Sequence, residues 1–164
     1  MDFWEVVRKR VSVREYSDQE IEQEKLKNII DAAHLAPTAR GEEPWEFILV
    51  TEKKSLEELA NITDHGKFLK GAAAGIVVVA KDTKYYLEDG CAATENILLA
   101  AAALGVGSCW IAGDKKPYGA NICKYLGVPD GYKLVSVISL GYPKIEPKPH
   151  QKRKVEDLLH WENF

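Results

Sequence analysis

The chain has 164 residues, of which 46% are hydrophobic and 29% are charged, and its formal net charge is -3 at pH 7. This length buries one sizeable core but not two, so we expect one domain spanning residues 1–164. No apolar run approaches the roughly 18 residues of a membrane span, and no leader pattern opens the chain, so we expect a cytoplasmic protein without a membrane partner. The net negative charge also argues against a nucleic-acid partner.

The first predicted element is a short helix in DFWEVVRKR, with Asp2 as its N-cap and Phe3, Val6 and Val7 on its apolar face. Basic residues crowd at 8–14 and again at 144–154. If the two ends of the chain meet in space, these residues form one anion site.

A second helix is predicted in SDQEIEQEKLKNIIDAAHLAP, where it must end near Ala36 because Pro37 follows. WEFILVTE and AGIVVVAKD are short β-branched runs typical of strands, and an amphipathic helix in SLEELANIT separates them.

The next predicted helix, YYLEDGCAATENILLAAAALGVG, is apolar on every face from Ile97 to Leu104. Such a helix is buried all round, either at the centre of a domain or against a second copy of the chain. A strand in SCWIAG, a short helix in PYGANICKYLG and a strand in YKLVSVISLGYP follow. The charged tail RKVEDLLHWENF carries apolar and aromatic residues, so we expect it to dock on another surface.

Several motifs fail to indicate chemistry. Gly105 and Gly107 follow a helix and precede a strand, which is the reverse of a dinucleotide fingerprint, so we interpret them as a helix C-cap and a turn. Glu88, Asp89 and Glu95 lack the histidines of a carboxylate metal site, which favours a solvated helix start. No G-x-S-x-G elbow supports a serine hydrolase.

The basic stretch near the N-terminus is the one motif that still indicates a binding site. Arg10 and Ser12 offer a guanidinium and a hydroxyl at a helix-to-coil break, and Arg14 lies two residues farther along the same face. This arrangement suits a phosphate monoester. The local pattern fits a solvated basic helix end equally well.

Four elements in order resemble the FMN-dependent nitroreductase family. The first is Arg10-Val11-Ser12-Val13-Arg14 followed by Tyr16, and the second is the loop APTARGEEPW from Ala36 to Trp45. The third is ALGVGSCWIAG at 103–113, and the fourth is KRKVEDLLHW at 152–161. The resemblance therefore covers nearly the whole chain.

The resemblance implies an α+β fold with a mixed, mainly antiparallel sheet flanked by helices, in a homodimer that binds FMN at the subunit interface. It implies ping-pong hydride transfer from NADH or NADPH to a small-molecule acceptor such as a nitroaromatic, a quinone or another conjugated electrophile. That scheme requires no acid or base from the protein, so we predict no catalytic side chain.

The resemblance also implies which residues bind FMN. The phosphate ligands would be Arg10, Val11 and Ser12 together with one of Lys152, Arg153 and Lys154. Arg14 and Lys70 would lie towards the pyrimidine edge of the flavin, and Lys67 would also bind the cofactor. Backbone from Ile111 through Ala112 to Gly113 would lie by N5 and O4, and Thr38, Arg40 and Gly41 would contribute to the ring side.

Two departures from the family pattern keep alternatives open. Gly41 and Glu43 stand where the family usually has Asn and Gln, and the chain is short between Val79 and Ala92, which implies a more open pocket. These features are compatible with a flavin carrier or redox sensor that does not turn over nicotinamide. A basic-patch nucleic-acid module is a third alternative, although no aromatic residues interleave with the cations at 8–14.

Overall fold

The computed structural model describes all 164 residues, which form five α-helices and four β-strands. In chain order the elements are α1 (Phe3–Lys9), α2 (Gln23–His34), β1 (Trp45–Val50), α3 (Lys53–Ile62), β2 (Ala74–Lys81), α4 (Tyr86–Ala103), β3 (Gly107–Ala112), α5 (Gly119–Tyr125) and β4 (Tyr132–Gly141). Short 3₁₀ turns occur at Ala39–Gly41, Lys67–Gly71 and Val155–Asp157.

The four strands form one sheet in the order β1-β2-β4-β3, and every neighbouring pair is antiparallel. The one parallel pairing is an isolated bridge between Ser12 and Ser108, on the free edge of β3. The predicted α+β fold with a mixed, mainly antiparallel sheet is thereby confirmed. Strand β3 is an edge strand, so one side of its backbone is available to other parts of the chain.

Two apolar cores lie on the two faces of the sheet, because strand residues alternate between faces. Ile76 and Val78 of β2 belong to one core, with buried residues of α2 and α4. Val77 and Val79 belong to the other, with buried residues of α3 and α5. Because β2 is buried on both faces, its sequence AGIVVVAK is continuously apolar rather than alternating.

Helix α2 begins at Gln23, later than its sequence predicts. Residues 17–22 have no helical conformation, because tertiary contacts hold this segment against the chain that follows β4. The Ser17 N–H donates to the Tyr142 carbonyl at 2.8 Å, and Tyr16 forms a bridge with Pro143. Ile21 is buried in the core without belonging to the helix. These tertiary contacts override a sequence of helical period.

Both ends of the chain leave apolar side chains in solvent. Helix α1 has the predicted Asp2 cap, which forms a capping box with Glu5, but of its predicted apolar face only Val6 is buried. Phe3 and Trp4 are each 64% exposed. Every residue from 148 to 164 is exposed, so the docking expected for the tail is not made within one chain. No helix combines the length and the hydropathy needed to cross a membrane.

Candidate functional site

The N-terminal basic segment lies alongside the free edge of β3. Ser12 pairs with Ser108 in the parallel bridge, and the Val13 N–H donates to the Ser108 carbonyl at 2.9 Å. Glycine at position 107 permits this approach, because a Cβ there would lie 2.9 Å from Val13 Cγ2. Gly107 therefore allows two segments to touch, and the sequence-based interpretation of it as a turn glycine is wrong.

Side chains of this segment point alternately towards and away from the core. Val13 is buried, whereas Ser12 and Arg14 are exposed, and the Arg14 guanidinium carbon lies 5.7 Å from the centre of the Phe68 ring. The buried Tyr16 hydroxyl donates to the Val13 carbonyl at 2.6 Å and bonds to the Ser139 hydroxyl. The backbone is thus fixed while the polar side chains stay available.

A basic groove of about 580 Å³ opens at the start of β3. Arg8, Lys9 and Arg10 line one side. The other side includes Gly107 and Ser108 at the start of the strand, with Glu146 and three prolines (Pro143, Pro147 and Pro149) of the chain after β4. The N-terminal cations therefore meet the chain after β4, but no basic residue of 144–154 lines the groove, so within one chain the two basic ends do not form the single anion site that the charge pattern suggested. Three cations against one carboxylate suit an anionic ligand such as a phosphate.

Cys109, the next residue of β3, lies within the electrostatic reach of the basic segment. Its side chain is buried, and desolvation raises the pKa of the thiol. The charges of Arg14 and Arg10 and a hydrogen bond with Ser12 act in the opposite direction. Arg10, Ser12 and Arg14 therefore act on one short stretch of β3.

The far end of β3 presents backbone groups at its free edge. The Gly113 N–H donates to the Val135 carbonyl, so by strand alternation Ala112 directs its N–H and carbonyl away from β4. The hydroxyl of buried Tyr118 donates to the Ala112 carbonyl. The Ala112 N–H is left on the open edge of the strand, where it can donate to a ligand.

The turn after β3 is held from two sides. A Cβ at Gly113 would lie 2.6 Å from Leu134 Cγ, so the glycine is required by packing against β4. The Tyr86 hydroxyl of α4 donates to Asp114 Oδ1 at 2.6 Å, and this hydrogen bond raises the pKa of Tyr86 to about 12. The backbone at this end of β3 is therefore rigidly placed.

The loop between α2 and β1 is anchored by a buried carboxylate. Asp89 of α4 is only 4% exposed, and its Oδ1 accepts the Ala39 N–H at 2.9 Å while its Oδ2 has no partner. Next to this anchor, Arg40, Gly41 and Glu43 have φ values of 63°, 68° and 44°. Thr38 is half-buried, and the Arg40 guanidinium carbon lies 5.9 Å from the centre of the Tyr85 ring.

The interpretation of Asp89 as part of a solvated helix start is wrong. A signal for its burial was present in the sequence, because Asp89 lies on the same helical face as the apolar residues Ala93 and Ile97, which follow it at i+4 and i+8. An acid on the apolar face of a helix needs a hydrogen-bond partner, and here the Ala39 N–H supplies it.

Some of the predicted site residues lie elsewhere in the chain. Lys67 Nζ donates to the carbonyls of Ala60 and Asn61 at 3.0 and 3.1 Å, at the end of α3, and Lys70 lines a separate groove with residues 17–20. Lys152, Arg153 and Lys154 are exposed in the tail, and Arg153 donates to the Asp157 carbonyl at 2.7 Å. The structure therefore brings Arg10, Val11, Ser12 and Arg14 beside the strand that leads to Ile111, Ala112 and Gly113, but not the lysines or Arg153.

Comparison with known proteins finds relatives along the whole chain. Residues 2–163 match the family model described as "Putative TM nitroreductase". A protein of Archaeoglobus fulgidus named "Putative NADH dehydrogenase/NAD(P)H nitroreductase" is 41% identical over 164 residues, with 94% of each chain covered.

Solved structures agree with this match. A protein of Parabacteroides distasonis with the same printed name has a TM-score of 0.93 at 34% identity, covering 98% of each chain. An FMN-dependent nitroreductase of Clostridium difficile has a TM-score of 0.92 at 36% identity, covering 99% of this chain and 100% of that one. The sequence match over 2–163, together with the shared fold, shows that this chain belongs to the nitroreductase family.

Proposed function

We propose that this protein is an FMN-dependent oxidoreductase that takes electrons from NADH or NADPH and passes them to nitroaromatic, quinone or related conjugated acceptors. The observation that carries the proposal is the bridge between Ser12 and Ser108, beside the free edge of β3. The bridge sets Arg10 and Ser12, whose side chains suit a phosphate, next to a strand whose far end offers a free backbone N–H.

The residues at the start of β3 fit the phosphate of FMN. A phosphate dianion needs several charge-assisted donors to replace its water shell. Arg10 lines the basic groove with Arg8 and Lys9, and the Ser12 hydroxyl lies on the exposed side of the segment. Arg10 and Ser12 would hold the phosphate, with Val11 contributing backbone.

The residues farther along β3 fit the flavin ring. Ser108 and Ile111 are three residue steps apart along the strand, or roughly 10 Å, a length that an extended ribityl chain can span. The Ala112 N–H would donate to the ring from the edge of the strand, and Arg14 would place its charge near the pyrimidine edge. FMN, when bound, supplies the hydride-transfer chemistry that no side chain can supply.

The loop anchored by Asp89 would cover the ring side of the site through Thr38, Arg40 and Gly41. Gly41 at φ 68° suits the left-handed conformation there, whereas an asparagine would add a hydrogen-bonding side chain. Glu43 brings a negative charge to the same loop, which would influence the choice of donor or acceptor.

We also propose that the protein works as a homodimer. Phe3 and Trp4 on α1 and Trp161 and Phe164 in the tail are exposed by 64% to 107%, and solvated aromatic surface of this extent favours association. A tail that crosses to a second copy would bury these residues. It would also allow one of Lys152, Arg153 and Lys154 to reach a phosphate that their own chain does not bring them near.

The test is FMN titration of the purified protein, followed by anaerobic addition of NADH and then NADPH. We expect FMN to bind, to quench its fluorescence and to lose its visible absorbance with at least one donor. A protein that cannot be loaded with FMN would contradict the proposal. Sedimentation of the loaded protein tests the dimer separately, and a monomer would contradict that part alone.

A second candidate function is flavin binding without turnover, as a carrier or sensor. The observation that favours it is the loop at 40–43, where Gly41 and Glu43 replace residues usual in the family. FMN that binds but is reduced by neither nicotinamide would favour this function over the first.

A further inference from the structure

We propose that a second basic cleft, at the far end of β3, binds the pyrophosphate of the nicotinamide donor. The cleft has a volume of about 730 Å³ and begins at Gly113 and Asp114, directly after the strand. Helix α5 and the turn at residues 127–133 form its other walls. The inference rests on the proposed function, since a cleft at this place adjoins the predicted ring site.

The charge of the cleft is positive although the chain as a whole is negative. Four lysines and two aspartates line it: Lys115, Lys116, Lys124, Lys133, Asp114 and Asp130. Lys133 is neutralised by Asp82 at 2.7 Å, and Asp114 already accepts a hydrogen bond from Tyr86. Three lysines without an ion pair therefore face two carboxylates, those of Asp114 and Asp130, which leaves the cleft with a net positive charge.

Two of these lysines are carried by a fixed turn. The Lys116 N–H donates to the Gly113 carbonyl at 3.3 Å, and the Gly119 N–H donates to the Lys116 carbonyl at 3.0 Å. Lys115 has a φ of 58°, a region that long side chains adopt rarely. A strained residue kept in a fixed turn next to a binding site is a pointer to function. Here the turn presents two ammonium groups at the mouth of the cleft.

The charges of the proposed substrates indicate which of them suits the basic cleft. Nitroaromatic and quinone acceptors carry no cluster of negative charges, whereas NADH and NADPH share a pyrophosphate. Lysine ammonium groups bind phosphates as point charges. A pyrophosphate in this cleft would leave the nicotinamide at the Gly113 end, beside the edge of β3. The two basic regions would then bind different phosphates: the groove at Arg10 would bind that of FMN, and the cleft at Lys115 would bind the pyrophosphate of the donor.

The experiment uses FMN-loaded variants in which lysines are replaced by the neutral glutamine. Their activity is compared between donors that contain phosphate and a donor that does not. The cleft variant carries Lys115→Gln, Lys116→Gln and Lys124→Gln, and a control for the loss of surface charge carries Lys53→Gln and Lys54→Gln at the start of α3. Each is assayed with NADH, with NADPH and with a dihydronicotinamide that has no phosphate. FMN affinity is measured for every variant.

The expected result is a rise of about tenfold in the KM for NADH and NADPH in the cleft variant, from the loss of three weak ionic contacts. The rate with the phosphate-free donor and the FMN affinity should match those of the control. A larger effect on NADPH would mean that its additional phosphate also occupies the cleft.

Two results would overturn the inference while leaving the proposed function intact: an unchanged KM for both nucleotides, or an equal loss with the phosphate-free donor. Failure of the wild-type protein to bind FMN would overturn both. Inhibition of the wild-type protein gives an independent check, because ADP should compete with the donor while adenosine should not. Equal inhibition by the two would also contradict a phosphate site.

Discussion

The two ends of β3 solve the problem of an open strand edge in different ways. At its start, Ser108 bonds to the backbone of Val13, so a neighbouring segment covers the edge and its side chains stay free. At its end, the Tyr118 side chain covers only the Ala112 carbonyl, and a backbone N–H stays free. The edge of the same strand therefore meets the cationic N-terminal segment at one end and offers a main-chain donor at the other.

This difference matches what the two parts of FMN require. A phosphate needs flexible, charged donors that can surround it, while a planar ring needs a rigid donor at one fixed point. A substitution at one end of β3 should therefore weaken the binding of one part of FMN and leave the binding of the other part unchanged. The following predictions test that separation.

The largest effect is expected from Arg10→Ala. Losing one charge-assisted hydrogen bond to the phosphate should weaken FMN binding by about 1.5–3 kcal/mol, which is roughly 10- to 150-fold in Kd. Fluorescence titration measures it, with Lys54→Ala as a control that removes an exposed cation from α3. Equal affinity in Arg10→Ala and the control would remove Arg10 from the phosphate site.

Gly107→Ala should push the basic segment away from β3. The added methyl would meet Val13 Cγ2 at 2.9 Å and the Gly141 carbonyl at 3.0 Å, so we expect a loss of about 1–3 kcal/mol in the free energy of unfolding. FMN affinity should fall as well, because Ser12 moves with Val13. Gly71→Ala is the control, since a Cβ there meets nothing within 4 Å. A variant as stable as this control would show that the close contact is unimportant.

Asp89→Ala should release the loop at 38–43 and cost about 1–1.5 kcal/mol of unfolding free energy, because the Ala39 N–H loses its acceptor. Asp89→Asn keeps the acceptor for the Ala39 N–H and exchanges the unpaired buried carboxylate oxygen for an unpaired amide, so it should lose less stability than Asp89→Ala. Chemical denaturation separates the two. If Asn destabilises as much as Ala, the negative charge of Asp89 must have a partner outside this chain.

The smallest effect is expected from Tyr118→Phe, which leaves the Ala112 carbonyl without its donor. We expect a loss of about 0.5–1.5 kcal/mol in the free energy of unfolding. FMN and phosphate-free flavins should both bind more weakly, and to the same extent. Tyr142→Phe removes a tyrosine hydrogen bond on the surface, to Glu22, and is the matched control. A loss of affinity for FMN without a loss for a phosphate-free flavin would contradict this, because Tyr118 would then act at the phosphate and not at the ring.

Local sequence patterns predicted most of the fold. Asp2 caps α1 as expected, β1 and β2 coincide with the β-branched runs, and Gly105 ends α4 with a φ of 74°. The late start of α2 could not be predicted, because Ser17 is held by Tyr142, a residue distant in sequence. Local pattern contains no information about such a contact.

The candidate site was predictable to a smaller extent. The resemblance identified Arg10 to Arg14 and Ile111 to Gly113, but not the bridge between Ser12 and Ser108 that brings the two elements together. Tyr118, Asp89 and the lysine cleft were missed, because each depends on which side chains meet after folding. Lys67 is among the predicted cofactor residues, yet its ammonium group caps the end of α3.

The most direct test compares FMN with riboflavin, which lacks the phosphate, in binding to the wild-type protein and to Arg10→Ala. The account predicts that the variant loses affinity for FMN by roughly 10- to 150-fold and keeps the wild-type affinity for riboflavin. Equal losses for the two flavins would contradict it, because Arg10 would then act on the ring or on the fold rather than on the phosphate.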